Sequence, residues 1–258
     1  MSTVTDKQIF DHLREYIKPM TLTQSVVNMV DGNLRDTVKR VALVGALGLE
    51  QCPNPRYKLD TAILAAIYPG VNVSALQYII KYAPVFGIVY KQEMAGFLAN
   101  VLIESQGFNA KRESFAYRPT RLLQVFPSRI KNLVNASNLV AKGQAAIANF
   151  LYNGRYGNDT PTSGWDYRGG GWVQLTFKNN YVACQNRTAL KLGSNPSLVE
   201  NMEVSAIAAM DYWYNNGCNE AACKIVGSDV SNLRKIVNGG LNGYDEVRNV
   251  YIKAMKLL

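Results

Sequence analysis

A chain of 258 residues that is 48% hydrophobic and 18% charged has the make-up of a well-cored globular protein, which excludes a disordered one. One histidine, His12, and four cysteines without CxxC spacing (Cys52, Cys184, Cys218, Cys223) leave next to no room for a zinc site or for Cys-His or Ser-His nucleophiles. Most of the net charge of +9 falls on residues 71–258, with 20 Lys/Arg against 12 Asp/Glu; this favours an anionic partner, yet no tandem basic clusters point to nucleic acid.

The N-terminus is polar and amphipathic, without the apolar stretch of a signal peptide. No apolar run nears the ~20 residues of a membrane span, and the best, Val41 to Leu49, holds two glycines. The expectation is a protein made in the cytoplasm with no stable membrane insertion. Thr5 with Gln8 forms a capping box ahead of Ile9, Leu13, Tyr16 and Ile17 at helical spacing, with His12 an ordinary residue of that helix and Pro19 its stop. Thr21 with Gln24 opens a second helix, and a third is expected over about residues 34–47. After the rigid Cys52-Pro53-Asn54-Pro55 turn, Asp60 caps a short helix through Ile67. Pro69-Gly70 then breaks the chain, which divides it into a small all-helical domain, 1–69, and a larger one, 70–258.

In the larger part Asn72 caps a helix carrying Leu76, Ile79, Ile80 and Ala83. The next helix, Lys91–Ser105, has Met94, Phe97, Leu98, Val101 and Leu102 as a core-facing stripe, and Ala95, Gly96, Ala99 and Ile103 on its other side. It is apolar almost all round and should be buried, ending at Gly107 as a left-handed cap. Glu104 lies in its last turn, where burial and the negative end of the helix dipole both disfavour a charged carboxylate. That setting suits a group that must donate a proton. Nine residues on, Glu113, Phe115 and Tyr117 alternate, which predicts a short strand with all three on one face. Two carboxylates so framed suit a glycosidase, though ion-pairing glutamates are the commoner reading of any such pair.

Thr120 should start a helix stopped by Pro127, and residues 143–151 are helical again. The stretch NGRYGNDTPTSGWDYRGGG, residues 153–171, is rich in glycine, aromatics and charge, as binding loops are. Trp172–Thr176 reads as a strand with Gln174 and Thr176 on one face. Asn195-Pro196 opens a helix leading to 206–214, Ser228 caps one ending at Asn238-Gly239-Gly240, and Asp245 caps the last, with Val247, Val250, Tyr251 and Ala254 inward.

Taken together, IESQGF, ESFAY, YRGGGWVQLTFKNNY and IVNGG, in that order, resemble the glycoside hydrolase family 19 lysozymes found as phage endolysins, relatives of plant-type chitinases. The resemblance spans roughly Val71 to Leu258. It implies a mainly α (α+β) fold, a two-lobed lysozyme-like catalytic domain with a small β-hairpin lobe, behind the helical N-terminal domain. It also implies that Glu104 is the general acid, Glu113 the general base and Thr176 a holder of the attacking water. Gln174, Asn180 and Asn238 fall at sugar-contacting positions, and Arg248 is a looser match to an arginine supporting the carboxylates. Tyr117, Trp165 and Tyr167 are candidate sugar-stacking rings or core. Two departures stand out: IES for the usual HES, and Gly170 where YRGRG has its second arginine.

The implied activity is inverting hydrolysis of β-1,4 bonds in bacterial peptidoglycan by a monomer without cofactor or metal, reaching the wall through a separate membrane-permeabilising protein. A chitinase, or a non-catalytic wall-binding or virion protein, are the alternatives. Residues 1–69 would then be a wall-targeting unit or a structural appendage. Spacing does not decide which of the four cysteines pair.

Overall fold

The computed structural model describes residues 56–109 and 112–258. The helices expected from Thr5, Thr21 and about residue 34, together with His12 and Cys52, lie outside the described residues. What is described is mainly helical. Asp60 caps α1 (Thr61–Ile67) by accepting from the Ile63 amide at 2.8 Å. Asn72 caps a single 3-10 turn that runs into α2 (Leu76–Tyr82). α3 (Lys91–Glu104) starts at a capping box in which the Glu93 carboxylate accepts from the Val89 and Tyr90 amides at 2.8 and 2.9 Å.

Every residue of the α3 stripe is buried, as are Ala95, Gly96 and Ala99 opposite it. The helix can be enclosed because its neighbours present apolar faces on all sides: α9 (Met202–Asn215), α10 (Cys218–Cys223), α11 (Ser231–Asn238) and α12 (Tyr244–Leu257). α12 turns Val247, Tyr251 and Ala254 into this core. Its N-cap is Gly243, and Asp245 lies in its first turn.

α1 belongs to the same core through Leu64 and Ile67, both buried, so residues 56–69 are joined to the unit from which a boundary at Pro69-Gly70 separates them. A truncation removing residues 1–68 is therefore expected to unfold at lower temperature than one removing residues 1–55. Two large apolar side chains leave the core in the first case, at about 1.5–3 kcal/mol each. Identical melting of the two truncations would show that α1 adds nothing.

Two smaller cores flank the main one. α4 (Pro119–Val125), α5 (Leu133–Ala141) and α6 (Gln144–Tyr152) enclose Phe115, Leu122, Ile130, Ala136, Ile147, Ala148 and Leu151. α8 (Lys178–Thr188) packs with α9 around Tyr167, Leu175, Tyr181, Cys184 and Val199. Between them α7 (Ser163–Asp166) is one turn.

Among the described residues nothing supports the small β-hairpin lobe that the resemblance implies, or the strands expected from the alternating segments. Among the described residues the sheet pairing reduces to two isolated antiparallel bridges, Arg112 with Gly170 and Gly170 with Leu175. Glu113, Phe115 and Tyr117 do keep their alternation, since Ser114 and Ala116 between them are exposed. Beyond Arg112, however, its backbone pairing ends with the Glu113 amide, which donates to the Gly169 carbonyl at 2.8 Å, and Pro119 soon starts α4. Trp172, Val173 and Gln174 form a turn instead of a strand, because Gly170 and Leu175 bond each other across it at 2.8 and 3.1 Å.

The three described cysteines are free thiols, with burial pushing Cys184 and Cys218 up to about 12. No described helix is long and apolar enough to cross a membrane.

Candidate active site

Glu104 ends α3, and the chain reverses sharply after it. Gln106, Gly107 and Phe108 all have positive φ (50°, 83° and 64°), and the Gly107 amide reaches back to the Leu102 carbonyl at 2.8 Å, closing the helix as a left-handed cap does. Ser105 holds the reversal by accepting from the Phe108 amide at 2.7 Å. The Glu104 carboxylate then meets α11. Its Oε1 accepts from Arg234 Nη1 at 2.6 Å and from Asn238 Nδ2 at 3.2 Å.

Arg234 is 2% exposed and also donates through Nε to the Asn242 carbonyl at 2.7 Å. The carboxylate is thus only partly buried and has a buried cation against it, where the sequence led us to expect an apolar setting. Arg248, the arginine assigned to support the carboxylates, instead donates to Ser228 Oγ at 3.1 Å. The signal for Arg234 was present: it lies four residues before Asn238, on the same face of one helix.

Glu113 sits where the two smaller cores meet. Its Oε1 accepts from the Tyr152 hydroxyl at 2.8 Å and its Oε2 from the Gly169 amide at 3.2 Å. Burial first, and then the charge of Glu113, raise the Tyr152 phenol well above the ordinary tyrosine range, so it remains a donor. A Cβ at Gly169 would lie 2.8 Å from Gln174 Oε1 and 3.3 Å from Glu113 Oε2, so a side chain there would push the Gln174 amide aside. That close approach brings the Gln174 amide beside the carboxylate. Thr176 Oγ1 donates to the Gln174 carbonyl at 2.7 Å, and Asn180 Nδ2 to the Thr176 carbonyl at 2.8 Å.

The structure therefore bonds Asn238 to Glu104 and brings the Gln174 side chain near Glu113, with Thr176 and Asn180 following through the Gln174 and Thr176 carbonyls; eight residues separate the two glutamates. Tyr117 lies close enough for the Glu113 charge, after burial, to raise its phenol, and its ring packs edge-on to Phe115 and Phe126. Tyr167 is core: 9% exposed, it donates to the Gly193 carbonyl at 2.6 Å and packs edge-on to Tyr181. Trp165 has one face covered by the Arg168 guanidinium at 3.5 Å. No group of three His, Cys, Asp or Glu side chains among the described residues is placed to hold a metal ion.

No family model matches the sequence. The chain is 32% identical over 187 residues, 72% of its length and 90% of the relative's, to a glycosyl hydrolase family 19 domain-containing protein of Haemophilus influenzae (strain Rd). The chain belongs to glycosyl hydrolase family 19.

Within this family 19 chain, the departure at Gly170 has a local cause. A Cβ there would lie 2.6 Å from Val199 Cγ1 and 3.0 Å from Arg112 Cδ. The space is taken by Arg112, whose buried guanidinium donates to Tyr181 Oη at 2.9 Å, to the Pro196 carbonyl at 3.1 Å and to the Asp166 carbonyl. Arg112 precedes Glu113 and bridges Gly170, so it ties the carboxylate's segment to the glycine turn. Replacing it, as Arg112→Met, leaves buried acceptors without donors and is expected to cost about 2–4 kcal/mol, read as a fall in the unfolding midpoint in denaturant. An unchanged midpoint would remove the role.

Proposed function

We propose that this glycoside hydrolase is an endolysin-type lysozyme that cuts β-1,4 bonds of bacterial peptidoglycan with inversion and so lyses the host cell of a phage. The observation that carries the reading is the unequal bonding of the two carboxylates. Both oxygens of Glu113 accept hydrogen bonds from neutral donors, which fits a carboxylate that works as a base. Glu104 receives both of its donors, one of them the Arg234 guanidinium, on Oε1, which leaves Oε2 as the oxygen that takes up a proton and passes it to the glycosidic oxygen.

Glu113 then takes a proton from a water on the opposite face of the sugar. Thr176 Oγ1, whose own hydrogen goes to the Gln174 carbonyl, accepts from that water, and Gln174, Asn180 and Asn238 bond the saccharide. The basic charge of residues 71–258 draws the enzyme to an anionic wall. Its partners are peptidoglycan and a separate membrane-permeabilising protein that gives access from the cytoplasm to the wall; it acts as a monomer.

The test is turbidity loss of outer-membrane-permeabilised bacteria, run beside release of sugars from chitin oligomers. Clearing of the cells with slow chitin turnover is expected, and clearing should weaken as ionic strength rises past physiological, where the Debye length falls below about 8 Å. Rapid chitin cleavage without clearing would make it a chitinase. Neither activity would leave a non-catalytic wall protein.

A further inference from the structure

Residues 114–158 carry six basic side chains (Arg118, Arg121, Arg129, Lys131, Lys142 and Arg155) and no aspartate or glutamate, so +6 of the chain's net +9 falls on this one stretch. The stretch is the lobe of α4, α5 and α6, folded around Leu122, Ala136, Ile147 and Leu151. All of these cations except Arg155 are exposed. Among the described residues none of the five exposed ones is held in an ion pair, which leaves their charge to an outside partner.

The middle of the lobe is α5. Asn132 caps it by accepting from the Asn135 amide at 2.9 Å, and Ala136 fixes its inner side in the small core. Leu133, Val134, Ser137, Asn138 and Ala141 share the opposite side at helical spacing; all are exposed and none is charged. Leu133 and Val134 thus leave two neighbouring aliphatic side chains in water, and Val125 of α4 and Phe150 of α6 are exposed as well. A solvent-facing helix ordinarily carries its charges on the outer face. Here the outer face is uncharged, with Arg129 and Lys131 just before it and Lys142 just after it.

That pairing of cations with aliphatic side chains selects the partner. A hydrated polyanion, such as a wall polymer, would use the cations and leave Leu133 and Val134 in water. A bilayer with anionic headgroups uses both, because phosphates meet the lysines and arginines while the aliphatic side chains reach the acyl boundary. We propose that the outer face of α5, flanked by Arg129, Lys131 and Lys142, docks on the surface of an anionic phospholipid membrane. The helix lies on the bilayer and does not cross it, since its 9 residues fall far short of the ~20 of a membrane span. Neither Glu104 nor Glu113 belongs to this face, so the docking stands apart from the glycosidase reading.

The test sediments the full-length protein with vesicles of phosphatidylcholine alone and of phosphatidylcholine mixed with phosphatidylglycerol. Binding is expected to the mixed vesicles and not to the neutral ones, and it should fall as salt rises. Lys131→Gln with Lys142→Gln should weaken it about fivefold for each charge removed. Leu133→Ser with Val134→Ser should weaken it about tenfold or more, because interfacial affinity scales with the apolar area buried. All four side chains are exposed, so the variants should melt with the parent. Failure to bind the mixed vesicles would overturn the proposal, as would vesicle binding that the Leu133→Ser, Val134→Ser pair leaves unchanged. Retention on sacculi through Lys131 and Lys142 without any vesicle binding would also overturn it and assign the face to the wall polymer.

Discussion

Glu104→Gln should reduce lysis by at least ~10²–10⁴-fold, the range for losing a general acid-base group. The amide keeps the size of the side chain, and its oxygen can still accept from Arg234 and Asn238, so the substrate meets an unchanged surface that cannot supply a proton. The effect on stability is set by Arg234. Relief of a strained buried acid, the expectation from sequence, would make the variant slightly more stable. With a guanidinium that is 3% exposed bonded to it, the carboxylate is instead the charged partner of a buried cation, and a neutral amide bonds it less strongly. A loss of about 1–2 kcal/mol is therefore expected, measured as the unfolding midpoint in denaturant. Full lytic activity in this variant would show that another group is the acid.

The sign of that stability change illustrates what was legible in the chain. The α3 stripe, its burial and its left-handed end follow from local periodicity and one glycine, and the structure has all three. The capped starts at Asp60 and Asn72 are local in the same sense. What surrounds Glu104 is not local, because Arg234 is 130 residues away and only the packing of α11 against α3 brings it there. The assignment of Arg248 failed for that reason: both arginines are near the end of the chain, and spacing alone does not tell which helix faces the carboxylate.

The strands fail differently. Alternation at residues 113–117 reports correctly which side chains turn inward, but a strand also needs a neighbour. The turn closed by Gly170 and Leu175 offers Arg112 a single pairing. α5 was missed although Asn132 caps it, since Leu133 and Val134 are exposed at 48% and 66% and blur the helical stripe. Within the site, Tyr152 and Arg112 had no motif of their own. Each acts through contacts with Glu113 or the glycine turn that exist only in the folded chain.

Glu113→Gln should also abolish turnover, and the cause is separable from loss of the acid. The substituted amide can still accept from the Gly169 amide through its oxygen while its NH2 donates to the Tyr152 hydroxyl, which turns to accept, so the turn and the Tyr152 ring stay in place. What is lost is the base that takes a proton from water as it attacks. Azide needs no base, and it is small enough to stand where the water stood. Added to Glu113→Gln, it should attack the anomeric carbon from the face opposite the leaving oxygen, which Glu104 still protonates, and release an α-glycosyl azide. Glu104→Gln should gain nothing from azide, because its leaving group still departs without a proton. Product stereochemistry on the unmodified enzyme checks the same division of labour: one displacement at a β-linkage gives the α-anomer as the first reducing end, seen by proton NMR before mutarotation. A β-anomer appearing first would mean a covalent intermediate, with Glu113 as nucleophile and not as base.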